Sequence, residues 1–120
     1  MIRLILGEGR RGLQRVLCIG AHCDDIEIGC GGTLLALQAT RRSFTVDWVV
    51  LSGNDERARE SRTAMQKFLK PPHRGGLRVA GFADGRFPAQ YAAIKDYFEA
   101  LRDRVRPDLI FCHEREDRHQ

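Results

Sequence analysis

Arg15-Val16-Leu17-Cys18-Ile19-Gly20-Ala21-His22-Cys23-Asp24-Asp25 is the stretch from which the fold can be read. Val16 to Ile19 form a short, unbroken apolar run of the kind that a parallel strand buried on both faces requires. The strand ends there and delivers one imidazole and two adjacent carboxylates to its C-terminal end. Gly29-Cys30-Gly31-Gly32-Thr33 then leads into Leu34-Leu35-Ala36-Leu37, a segment of helical character. In an open α/β sheet such a strand-to-helix turn is where ligands and reacting groups gather.

His22 and Asp25 are hard or borderline ligands on one tight turn, and one imidazole with one carboxylate suits Zn²⁺ with room left for water. Asp24 lies between them. A carboxylate beside the metal, but not needed as a ligand, can accept the proton of a bound water, whose pKa zinc lowers to about 7. The plainer alternative is that Asp24 and Asp25 cap the following helix and His22 packs beside them.

Outward from this turn the chain alternates between two periods. The first helix is expected to end near Thr40-Arg41, and Ser43 to Ser52 is rich in β-branched and aromatic residues, which predicts a second strand. Asn54 or Asp55 can cap the next helix, from about Glu56 to Leu69, with Ala64, Met65, Phe68 and Leu69 on one face and Pro71-Pro72 stopping it. A short third strand is expected around Leu77 to Phe82. Gln90 to Val105 carries an apolar stripe of Ile94, Tyr97, Phe98, Leu101 and Val105, with Lys95 and Glu99 as an i,i+4 pair. Pro107 ends that helix, and Leu109 to Cys112 is the fourth strand. The pattern β-α-β-α-β-α-β predicts an α/β fold: a Rossmann-like open parallel sheet in the order 3-2-1-4, with helices on both faces. In that order the sheet reverses direction between strands one and four. His22 then shares a crevice with the polar run after Cys112, which brings two clusters from opposite ends of the sequence to one place.

At 120 residues the chain reads as a single domain, residues 1–120, large enough for a core without staples. Its composition, 42% hydrophobic and 30% charged, is that of an ordinary globular protein, and no apolar stretch approaches the ~20 residues of a membrane helix. Met1 to Arg11 has too short an apolar run for a signal peptide and reads as a leader or a small extra strand. The net charge of +4 first suggests a nucleic-acid partner. Bases alternate with acids in Asn54 to Glu60 and Arg102 to Arg104, however, and no nucleic-acid-binding motif is present, so a solvated mixed surface is expected instead. Four cysteines without C-x-x-C spacing argue for free thiols and a cytoplasmic setting. Cys18 and Cys112 are expected in the core, and Cys23, inside the proposed metal turn, could bind or poison a metal.

Val16 to Leu35, VLCIGAHCDDIEIGCGGTLL, resembles the motif A-H-P-D-D-x-E-x-G-x-G-G of the PIG-L or LmbE-like family of zinc-dependent N-deacetylases, with Cys23 in place of the proline. The resemblance implies His22 and Asp25 as zinc ligands and Asp24 as general base. A second match is Pro107-Asp108-Leu109-Ile110-Phe111, followed by Asp117-Arg118-His119-Gln120. In the family this segment reads D-x-H-x-D-H. His119 falls on the histidine that stabilises the oxyanion, and the third zinc ligand would fall two residues beyond Gln120. The resemblance therefore implies the N-terminal part of a longer domain and a sheet cut short. The other readings are that His113 or His119 substitutes as a ligand, or that the fold is kept without activity.

Arg59 with Glu60 resembles the family's arginine-glutamate helix segment, and Asp84-Gly85-Arg86 its P-D-G-x-L loop, which implies Arg59 and Asp84 as substrate-binding residues. Glu27 can touch the metal shell or cap the helix. His73, between prolines and arginine, is expected to be exposed. The implied activity is hydrolysis of an acetamide on an N-acetylglucosamine-type sugar conjugate, with one Zn²⁺ as cofactor, no membrane or nucleic-acid partner, and an oligomer possible. Two other classes compete: a non-catalytic relative acting as a binding module, and a nucleotide-binding Rossmann-like module suggested by Gly29-x-Gly31-Gly32. The second is disfavoured because two aspartates precede the glycines and would repel a phosphate.

Overall fold

A computed structural model describes residues 12–40 and 43–117. The expected leader or extra strand in Met1 to Arg11, the pair Arg41-Arg42, and His119 lie outside the described residues. Strand β1 (Arg15–Gly20) is followed by helix α1 (Asp25–Thr40), β2 (Thr45–Ser52), α2 (Asp55–Phe68), β3 (Arg74–Phe82), a 3-10 turn (Phe87–Gln90), α3 (Tyr91–Val105) and β4 (Leu109–Phe111). The four strands form one sheet in the order β3-β2-β1-β4, every pairing parallel. This is the order that the sequence predicts.

The unbroken apolar runs of β1 and β2 have a direct cause: alternate residues feed two cores. Val16, Cys18, Val46, Trp48 and Val50 pack with Ile26, Leu34 and Leu37 of α1 and with Met65 and Leu69 at α2. Leu17, Val49 and Leu51 point the other way, against Leu101 and Val105 of α3. The helices therefore cover both faces of the sheet. On α3, Lys95 and Glu99 meet at 3.0 Å as the i,i+4 spacing requires.

Several boundaries differ from expectation. Helix α1 begins at Asp25, so the glycines lie inside it rather than before it. A Cβ on Gly31 would stand 2.6 Å from the Phe68 ring, so this glycine lets α1 and α2 approach closely. β3 starts at Arg74, earlier than predicted, because Arg74 pairs with Val46. His73 is buried, not exposed: its Nδ1 lies 3.0 Å from the Phe44 carbonyl, and its ring packs 4.4 Å from that of Phe44. Cys112 is exposed rather than in the core, since β4 stops at Phe111.

The β1–β4 pairing, Cys18 against Phe111, is held at its start by Asp108. Oδ2 of Asp108 accepts the backbone N–H groups of Gln14 and Arg15 at 2.9 and 2.8 Å, and these bonds hold its carboxyl below the usual carboxylate range. A carboxylate whose folded pKa is lowered stabilises the fold fully above its unfolded pKa, about 3.9, and that stabilisation fades as the pH falls through the folded value. Asp108→Asn is accordingly expected to lower the urea midpoint at neutral pH and to flatten the acid limb of the stability curve. Urea titrations across pH check this, and equal losses at neutral and strongly acidic pH would count against it.

Candidate functional site

The site is built at the C-terminal end of β1. The chain turns sharply after Gly20, where a Cβ would come within 2.9 Å of the His22 carbonyl oxygen. Ser52, at the end of β2, fixes the departing loop: its backbone N–H and its hydroxyl both donate to the Ala21 carbonyl, at 2.9 and 2.7 Å. His22 to Asp24 follow as a turn, and α1 begins at Asp25.

Asp25 does not use its carboxylate as a simple helix cap. Its Oδ2 accepts the backbone N–H of His22 at 2.8 Å, and Nδ1 of the His22 ring lies 3.8 Å from the same oxygen. Nε2 of His22 contacts Oδ1 of Asp84 at 2.7 Å. A carboxylate only accepts, so Nε2 carries the proton; this bond holds the Asp84 carboxyl below its usual range. A carboxylate on one imidazole nitrogen orients the ring and makes the other nitrogen the better ligand. Here that other nitrogen is Nδ1, on the Asp25 side. Phe87 stacks on the His22 ring at a centroid distance of 6.5 Å.

His22 Nδ1 and the Asp25 carboxylate thus fit a borderline divalent cation such as zinc, whose tetrahedral ligands stand about 3.3 Å apart at ordinary bond lengths. Among the described residues no group of three His, Cys, Asp or Glu side chains closes around a metal. The further histidine at this end of the sheet, His113 after β4, reaches Asp25 itself, with Nε2 2.9 Å from Oδ2.

Asp24 is exposed on the wall of a cleft of about 530 Å³ that His22, Cys23, Asn54, Arg57 and Asp84 also line. Arg59 lies elsewhere, on a neighbouring cleft between α1 and α2 with Glu27, Glu56 and Glu60. The arginine facing His22 and Asp24 is therefore Arg57. Its place follows from the cap: Asn54 Oδ1 accepts the Arg57 N–H at 3.0 Å, which starts α2 so that Arg57 and Glu60 share a face. Cys23, the residue in the proline's place, is buried and turned toward that face, with Sγ 3.1 Å from Arg57 Nη1 and 3.3 Å from Glu60 Oε2. Burial pushes its thiol up, while the guanidinium opposes the shift. Glu27 is likewise pushed up, by burial first and by the charges of Asp24 and Asp25 after it. Sequence reasoning passed over Arg57 and Ser52; the Ser-Gly-Asn turn and the i,i+3 spacing of Arg57 and Glu60 were the available signals.

Known proteins share sequence and fold with this chain. A deacetylase of Escherichia coli K12 named YaiS, itself described as uncharacterized, is 33% identical over 119 residues, covering 88% of this chain and 60% of that protein. The conserved protein TT1542 of Thermus thermophilus superposes with a TM-score of 0.65 at 30% identity, covering 89% of this chain and 49% of that one. The N,N'-diacetylchitobiose deacetylase of Pyrococcus horikoshii, solved with an inhibitor, shares the fold with a TM-score of 0.69 at 21% identity, covering 96% of this chain and 47% of that one. The chain thus spans about half the length of these relatives. Residues 17–120 match the family described as PIG-L, GlcNAc-PI de-N-acetylase, and with the H-x-D-D turn standing at the head of α1 the chain belongs to that family.

Proposed function

We propose that this chain is the N-terminal portion of a metal-dependent deacetylase domain that removes acetyl from an N-acetylglucosamine-type conjugate in the cytoplasm. The observation that carries the reading is the pairing of His22 with Asp25, at the edge of a cleft that His22 shares with an exposed Asp24, Arg57 and Asp84. Family membership supports deacetylation. The sugar conjugate is supported by the activity named for the Pyrococcus horikoshii relative. Four free thiols support a reducing compartment, and among the described residues no helix is long and apolar enough to cross a membrane.

His22 and Asp25 would hold the zinc, which when bound lowers the pKa of water to about 7 and polarises a carbonyl. Asp24, unencumbered by the ligand role, takes the proton from the attacking water and returns it to the leaving amine. Asp84 keeps the His22 ring in the tautomer that leaves Nδ1 to bind. Arg57, rather than Arg59, offers its guanidinium to a sugar oxygen beside Asp84, and His119 completes the proposal as the oxyanion donor. The nucleotide-binding alternative loses its basis because Gly31 serves the contact with Phe68.

Elemental analysis of the purified protein and of His22→Ala tests the reading. Near-stoichiometric zinc that is lost in the variant is the expected result. Zinc equal in both would overturn it, and zinc absent from both would mean that these 120 residues hold no metal without a third ligand.

A further inference from the structure

Resting on that reading, we infer that His113 is a positioning residue for Asp25: it orients the carboxylate for the metal from outside the ligand set. As the first residue of α1, Asp25 has a ready competing use for its carboxylate, the unpaired N–H groups of its own helix end. Two bonds hold it away from that use, and both fall on Oδ2. One comes from the His22 backbone N–H at 2.8 Å, the other from His113 Nε2 at 2.9 Å. Since a carboxylate only accepts, Nε2 of His113 carries the proton and is a donor here, not a ligand. With Oδ2 anchored from two sides, the carboxylate is held in one orientation beside Nδ1 of His22.

The contact is a product of the fold. β1 and β4 are parallel neighbours, with Cys18 opposite Phe111, so His113 and the turn His22 to Asp25 leave the sheet at the same end. His113 and Asp25 line one cleft of about 280 Å³ with Cys30, Glu114 and Asp117. His113 is a third exposed, whereas the Asp25 side chain is 18% exposed, so the histidine is the movable partner and the carboxylate the one being held. Hydrogen bonds that fix a ligating carboxylate are commonly worth 10–100-fold in metal affinity.

The test is zinc affinity, measured by competition with a chromophoric chelator, for the unaltered chain, His22→Ala, His113→Ala and His113→Gln. The expected pattern is loss of competition in His22→Ala, a decrease of roughly 10–100-fold in His113→Ala, and restoration in His113→Gln, whose amide N–H can reach Oδ2. The metal-free melting temperatures of the His113 variants should stay near that of the unaltered chain, because the side chain is partly exposed. A zinc site that depends on His22 but is indifferent to His113→Ala overturns the inference and leaves the hydrolase reading standing. His113→Gln as weak as His113→Ala also overturns it, since a ligand, unlike a donor, is not replaced by an amide. No zinc uptake by the unaltered chain overturns the inference, because Asp25 as His113 holds it then binds no metal.

Discussion

Asp24→Asn is expected to lower the rate of acetate release by roughly 10²–10⁴-fold, the usual contribution of a positioned acid–base group, without loss of bound zinc. Asp25→Asn is expected to lose the zinc. The two adjacent carboxylates are chemically identical, so the difference must come from what each one faces. Asp25 is committed inward, to the His22 N–H and to His113. Asp24 stands exposed over the cleft that His22, Arg57 and Asp84 line, where a substrate and its attacking water would meet. Glu27, the third acid of the motif, opens onto the other cleft with Arg59 and Glu60, which removes it as a rival base. Acetate release from an N-acetylglucosaminyl conjugate, measured beside zinc content for both variants, separates the roles. Equal zinc loss in both would mean that Asp24 also holds the metal, and unimpaired turnover in Asp24→Asn would remove it from the mechanism.

The architecture was legible because both faces of β1 and β2 are buried, which writes them as continuous apolar runs, Val16 to Ile19 and Trp48 to Leu51. The start of α1 was not, because a run with Gly29, Gly31 and Gly32 looks like a loop until Phe68 is seen to need the space. His73 failed for a similar reason: its burial depends on Phe44, which is remote in sequence. In the candidate site, one turn carries His22, Asp24 and Asp25, so their spacing raised them as candidates, and the family resemblance, not the spacing, set them above plain helix caps. Arg57 could not be chosen over Arg59 without knowing that Asn54 sets the phase of α2. His113 was legible as a residue near the crevice and as a candidate substitute ligand; its contact with Asp25 follows from the register of β1 on β4.

Trp48→Ala is expected to cost about 3–5 kcal/mol, a large part of the ~5–15 kcal/mol available to a domain of this size. Trp48 is fully buried in β2, opposite Cys18 and Leu77, in the core that α1 and α2 cover. Its indole is not an optimal filler, because Nε1 is buried with no acceptor among the described residues, and an unpaired buried donor costs about 1–3 kcal/mol. Trp48→Phe gives up volume but also removes that donor, so its cost should be well below that of alanine; urea midpoints of the two variants check the order, and equal losses would mean that the N–H is satisfied. The same core supports the site, since β1 runs on from Cys18 to Gly20, where the chain turns into His22. A cation that binds only the folded chain adds about 2.7 kcal/mol at a hundredfold excess over its Kd. Zinc should therefore raise the urea midpoint of Trp48→Ala, and should fail to do so when His22→Ala is added. A rise that survives the loss of His22 would place the stabilising cation somewhere other than the H-x-D-D turn.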